Sequence, residues 1–159
     1  MAYTGAYGVS TNGVTYYYGI SDSKDTLPTE VTQLNRINSS GGVTVSPENI
    51  DASAMEDSET HNIAGRSSLD ESKTFTVNLT DETLKEWQDL IAAFKAKTTS
   101  QFMWFETVIP GLSKATWICG EPPALVPDPE MGQNELLTVE INVTVVKWHG
   151  FDNKVLPTT

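Results

Sequence analysis

One cysteine, Cys119, stands in the entire sequence, so no intrachain disulfide can brace the fold. Histidine is nearly as scarce, with only His61 and His149, and no Cys/His group has the spacing of a zinc site. Cations are also few. Lysine and arginine together number 10 against 21 aspartates and glutamates, a formal net charge of -11. Such a surface repels phosphate backbones and anionic lipid, which excludes a nucleic-acid binder of the ordinary basic kind. No stretch of about eighteen successive apolar residues occurs, and no N-terminal segment joins basic residues, an apolar run and a cleavage site. A soluble protein without membrane insertion is the expectation. At 159 residues the chain suits one domain, able to bury roughly two-thirds of the surface it exposes unfolded.

Residues 1–13 carry Gly5, Gly8 and Gly13 with no sustained period, which predicts an N-terminal arm. Val14 to Ile20 alternates in residue types that fit a pleated surface and predicts a strand. Residues 21–42 are polar with a few apolar anchors, predicting a loop or a short helical turn before a brief strand at Val43 to Val45. From 46 to 72 there is no convincing apolar period, with seven acids against the single base Arg66. This predicts a long acidic loop, and structureless connections beyond about 12–15 residues are usually functional or disordered.

Regular structure resumes at Lys73 to Leu79, where Phe75, Val77 and Leu79 alternate with Thr74, Thr76 and Asn78. Thr80 is placed to cap a helix over 80–97, with Asp81 and Glu82 in its first turn and Lys95 and Lys97 in its last. Leu84, Trp87, Leu90, Ile91 and Phe94 form its apolar stripe. Gln101 to Ile109 and Ser113 to Cys119 predict a hairpin through a type II turn at Pro110-Gly111. Four prolines within 120–134 predict an extended connection. A long strand follows from Glu135 to Trp148, with Leu137, Val139, Ile141, Val143 and Val145 on one face and Thr138, Glu140, Asn142 and Thr144 on the other. A polar tail over 149–159 ends the chain. The fold class is mainly β with one α-helix, an antiparallel sandwich or barrel with the helix on its flank.

Tests for chemistry find little. Glu48, Asp51, Glu56, Asp57 and Glu59 lack the odd-position ligands and central glycine of a calcium loop. Paired carboxylates for glycoside hydrolysis stay formally open, because separation in space is not legible in sequence. GxSxG, GxGxxG and a phosphate-binding glycine-lysine loop are absent, and Cys119 sits in an apolar strand where an inert thiol is expected. No catalytic residue, cofactor or metal is assigned, and the chain is not expected to be an enzyme. The two polar strand faces, free of Lys and Arg, are either a solvated surface or part of an assembly.

The order of segments VTVSPENIDAS, MEDSETHNIAG, SSLDES, KTFTVNL and TDETLKEWQDLIAAF resembles the major tail tube proteins of long-tailed bacteriophages. The resemblance spans roughly residues 37–150, with ENIDAS and the Ile63 to Gly65 stretch as its most family-like local piece. It implies a structural virion protein, a subunit of hexameric rings that stack into a tail tube through which DNA is ejected. The loop after the early strands would reach neighbouring subunits and the adjoining ring, involving Glu48, Asn49, Ile50, Asp51, Glu56, Asp57, Glu59, Ile63 and Arg66, and would order on binding. Thr74, Thr76, Asn78, Thr138, Glu140, Asn142 and Thr144 would line the channel, where few cations means little counterion-release affinity for passing DNA. The implied partners are further copies of the chain, with tape-measure and tail terminator proteins, in a virion tail assembled in the host cytoplasm. Two further readings remain: a secretion-system tube subunit, and an acidic carbohydrate-binding or adhesin-type sandwich with Trp104, Trp117 and Trp148 as a sugar platform. A small hydrolase using Glu56 or Asp57 is a third.

Overall fold

The computed structural model describes residue 2 and residues 5–157. The strands are β1 (Thr15–Ser21), β2 (Thr32–Leu34), β3 (Ile37–Ser40), β4 (Val45–Asp51), β5 (Asn62–Leu69), β6 (Ser72–Asn78), β7 (Phe102–Val108), β8 (Lys114–Glu121) and β9 (Thr138–Asn153), with α1 (Asp81–Ala96) between β6 and β7. Seven strands form one antiparallel sheet in the order β2-β1-β7-β8-β9-β6-β3, and β4 and β5 form a second, two-stranded one. The mainly β, antiparallel, single-helix architecture expected from the sequence is what the chain adopts.

The large sheet curls. Tyr16 on β1 and Phe75 on β6 sit near opposite ends of the strand order, yet their rings meet edge to face at 5.8 Å. Inside the curl lies the main core, where Phe75, Val77, Phe105, Ile118, Val139, Ile141, Val143 and Val145 meet Trp87, Leu90 and Ile91 of α1. Alternation along β6 and β9 supplies it, since every second side chain enters the same layer. A second cluster occupies the other face of the β1-β7-β8 half, built on Tyr17, Trp104, Val108, Ala115, Trp117 and Cys119. It is partly covered by Leu27, Val31 and Val155 from the connecting and C-terminal segments. The sheet is thus buried on both faces at one end and on one face at the other.

The helix forms where its sequence signals predict. Thr80 Oγ1 accepts from Thr83 N at 3.2 Å while Thr83 Oγ1 accepts from Thr80 N at 2.8 Å, a reciprocal capping box. Trp87 and Leu90 of the expected stripe are fully buried, whereas Leu84 and Phe94 lie at its margins.

Several expectations change. The stretch 46–72 is not a structureless loop, because β4 and β5 make it a hairpin with a bulge opposite Glu48. Every β4 side chain is exposed, so nothing selects an apolar alternation there, and the strands carry no periodic signal. The brief strand expected at Val43 to Val45 begins instead at Val45. Residues 21–42 contain two short edge strands and no helical turn, joined at Asn35-Arg36 with Arg36 at a φ of 57°. The Ile109–Leu112 turn closes through Leu112 N to Ile109 O at 3.0 Å, but Gly111 has no positive φ, so it is not type II. A Cβ on Gly111 would lie 2.6 Å from Val9 Cγ1, so the N-terminal arm packs on its own chain there. Strand β9 starts at Thr138 and runs on through Asn153, past the start of the expected tail, with its register against β8 shifting twice.

Candidate functional site

Strands β6 and β9 pair with Thr74 opposite Asn142, Thr76 opposite Glu140, and Asn78 opposite Thr138, while Thr144 lies opposite Ser72. The seven side chains singled out from two distant segments therefore make one contiguous patch. Its outward orientation follows from the inward one of Phe75, Val77, Val139, Ile141 and Val143 on the alternate positions. Thr74 Oγ1 donates to Asn142 Oδ1 across the pair. Asn38 Nδ2 donates to Asn78 Oδ1 at 3.2 Å, which carries the polar surface onto β3.

No lysine or arginine of β6 or β9 joins this patch. Lys73, the one cation in β6, is in register with Val143 and turned to the core side, 5.5 Å from the Phe75 ring. Burial there pushes its ammonium down to about 8. Lys147 lies further along β9, where it donates to Asp25 Oδ1 at 2.9 Å. This contact holds the Asp25 carboxyl below its usual range. Beside the patch, Asp128, Glu130 and Glu135 join Glu140 and Asn142 around an open cavity of about 590 Å³. The polar surface is thus also an acidic one.

The second sequence-predicted set lies on the hairpin. At its root Thr44 N donates to Asp70 Oδ2 at 2.8 Å and Asp70 N to Thr44 O at 3.1 Å. Val43 and Leu69 are partly buried against the main core. Beyond that root the strands leave the body. Ile50 and Ile63 sit opposite each other in the ladder, 50% and 56% exposed, an apolar pair half open to solvent with Ile50 lying beside Gly65. Asn49 is paired with Ala64, Asp51 with Asn62, and Glu48 lies at the bulge facing Gly65 and Arg66. Glu56, Asp57 and Glu59 are at the turn, where Asp57 accepts from Ala54 N at 2.6 Å.

Among the described residues no three His, Cys, Asp or Glu side chains converge to hold a metal ion. His61 stands 3.9 Å from Asp57 and is exposed. His149 contacts Asp152 at 2.8 Å and the Trp104 ring edge-on at 5.2 Å. Cys119 is buried, which pushes its thiol up to about 12. Trp104 and Trp117 are fully buried against each other, so the exposed sugar platform is not present.

The sequence reading missed Glu106. It is fully buried on β7 between Trp104 and Val108, with Oε2 accepting from Val155 N at 2.9 Å and Oε1 without a hydrogen-bond partner among the described residues. Burial pushes its carboxyl up to about 7. Met103, Trp104 and Phe105 before it are all buried, so alternation along β7 carried no signal for it.

No family model matches the chain, and no curated protein matches it. Solved structures do. Against a chain of the SPP1 tail tube the TM-score is 0.57 at 12% identity, covering 94% of this chain and 81% of that one. A chain in the sixfold-symmetrised baseplate of the anti-feeding prophage gives 0.55 at 11% identity, covering 92% and 95%. A chain in the C6-symmetric tail of an empty gene transfer agent particle gives 0.55 at 12%, covering 91% and 99%. At such identities the likeness is one of fold. The chain has the fold found in these phage-type tail and baseplate structures, over nearly its whole length.

Proposed function

We propose that the chain is a structural subunit of a phage-type tail tube, forming six-membered rings that stack around a channel for DNA ejection. The observation that carries this reading is the end-to-end fold match to chains of sixfold-symmetric tail and baseplate assemblies. Two features of this chain support it. The cation-free patch on β6 and β9 suits a channel wall, because each cation on phosphate adds binding that slows passage. The β4–β5 hairpin exposes its backbone and the Ile50–Ile63 pair, and two-stranded sheets gain independent stability only by packing on something further.

In this reading Thr74, Thr76, Asn78, Thr138, Glu140, Asn142 and Thr144 face the lumen, and the hairpin from Glu48 to Arg66 contacts neighbouring copies within or between rings. The tube belongs to a virion tail assembled in the host cytoplasm, where a tape-measure and a terminator protein set its length. The role is structural and not enzymatic. Negative-stain microscopy of the purified protein across salt and concentration tests it. Hollow tubes or rings with sixfold symmetry are expected; a monodisperse monomer under every condition overturns the reading.

A further inference from the structure

Between α1 and the segment 124–129 lies a groove of about 590 Å³. Leu84, Ile91 and Ala92 of the helix form one wall, and Leu125, Val126 and Pro127 the other. Leu125 is 76% exposed, so this apolar surface is open. At one end Lys95 donates to Ala124 O at 3.0 Å, and Asp128 also lines the groove. After Asp89 the helix carries Lys95, then Lys97 at its C-cap, and no acid. Among the described residues neither lysine is in a salt bridge. In a chain of net charge -11, Lys95 is a cation at the end of an apolar trough that forms no salt bridge among the described residues, while Lys97 lies outside the trough, over the Phe94 ring at 4.8 Å.

The same chain presents the complement. Met55, at the turn of the β4–β5 hairpin, is fully exposed and followed by Glu56, Asp57 and Glu59. The turn is held in shape: Ala54 N donates to Asp57 Oδ2 at 2.6 Å, Asp57 N to Ala54 O at 3.0 Å, and His61 N to Ser53 Oγ at 2.7 Å. A turn already fixed loses little entropy on docking, and a methionine side chain adapts to an irregular apolar trough.

We propose that the Met55 turn of one copy seats in the groove between α1 and 124–129 of a second copy, with Glu56 and Asp57 turned toward Lys95. This rests on the tube-subunit reading and specifies the receptor for its hairpin. Shape comes from the apolar trough and polarity from the charges, which set the direction of insertion. Screening at physiological salt limits the reach of these charges to about 8 Å, so they act only once the turn is near.

Disulfide trapping tests the pairing. Chains carrying Met55→Cys and chains carrying Leu125→Cys are mixed, assembled and oxidised; Cys119 stays silent because its thiol is buried and pushed up to about 12. A covalent dimer that needs both variants, found in the assembled fraction, is expected. Tubes without that dimer overturn this inference and leave the tube reading intact. Failure of the native chain to assemble overturns both. As a second arm, Met55→Leu should assemble as the native chain does, while Met55→Asp should raise the concentration needed by at least about tenfold. A Met55→Asp chain assembling at the native concentration also overturns the proposal.

Discussion

The hydroxyls of Tyr16 on β1 and Ser40 on β3 lie 2.9 Å apart, a hydrogen bond across the curled sheet between its second strand and its last. It shows where the sheet closes on itself. The Tyr16 ring also packs edge-on to Phe75, so one residue joins the closure to the core.

Replacing Tyr16 by Phe removes the hydrogen bond and keeps the ring, and is expected to lower stability by about 1 kcal/mol. Replacing it by Ala removes both and is expected to lower it by about 3 kcal/mol. Urea unfolding of the two variants measures the difference. Equal losses would mean that the ring contributes nothing to closure.

Glu106 gives the fold a pH dependence. Its carboxyl is lifted from 4.5 to about 7 by burial, so the folded state holds a proton that the unfolded state has already released. Stability should therefore be greatest below about 4.5 as far as this group is concerned, fall as pH rises toward about 7, and level off above it. The total loss is at most roughly 3 kcal/mol. In Glu106→Gln this fall should vanish, and the protection of the Val155 amide relative to its intrinsic exchange rate should no longer change between pH 5 and pH 8. An unchanged profile in the variant would assign the dependence elsewhere.

If the β6–β9 patch lines a channel, a cation there should make the wall adhesive. Asn142→Lys is expected to fold and assemble, because residue 142 points away from the core, yet its tubes should retain DNA at low salt where native tubes do not. Co-sedimentation with labelled DNA reads this out. Equal retention by both would place the patch away from the DNA path.

Six copies would carry a formal charge of six times -11, or -66. Their mutual repulsion is screened to about 8 Å at physiological salt, so raising salt should promote ring and tube formation and lowering it should favour the monomer. Sedimentation velocity from 10 mM to 500 mM salt is the measurement, and assembly that weakens with salt contradicts the expectation.

Much of this was legible in the residues. The alternation of Phe75 and Val77, or of Val139, Ile141 and Val143, states both the strand and its inward face, because one buried layer selects every second side chain. Thr80 with Asp81 and Glu82 states the helix start, because the cap and the dipole act locally. The β4–β5 hairpin left no such trace, since a ladder exposed on both faces places no apolar demand on its side chains. Glu106 was hidden inside an apolar run for the converse reason: where a sheet is covered on both faces, alternation stops reporting which positions are buried.

The sequence by itself therefore determined the β-rich class, the helix and its cap, the composition of the polar strand faces and the shortage of cations. Only the tertiary structure decided that those faces adjoin, that Lys73 turns inward, that the C-terminal segment rests on Glu106, and that the acidic stretch is a projecting hairpin. The physical reason is range. Capping and periodicity act within a few residues along the chain, whereas strand register, closure of the sheet and the burial of a lone charge are settled by segments that meet only once the chain has folded.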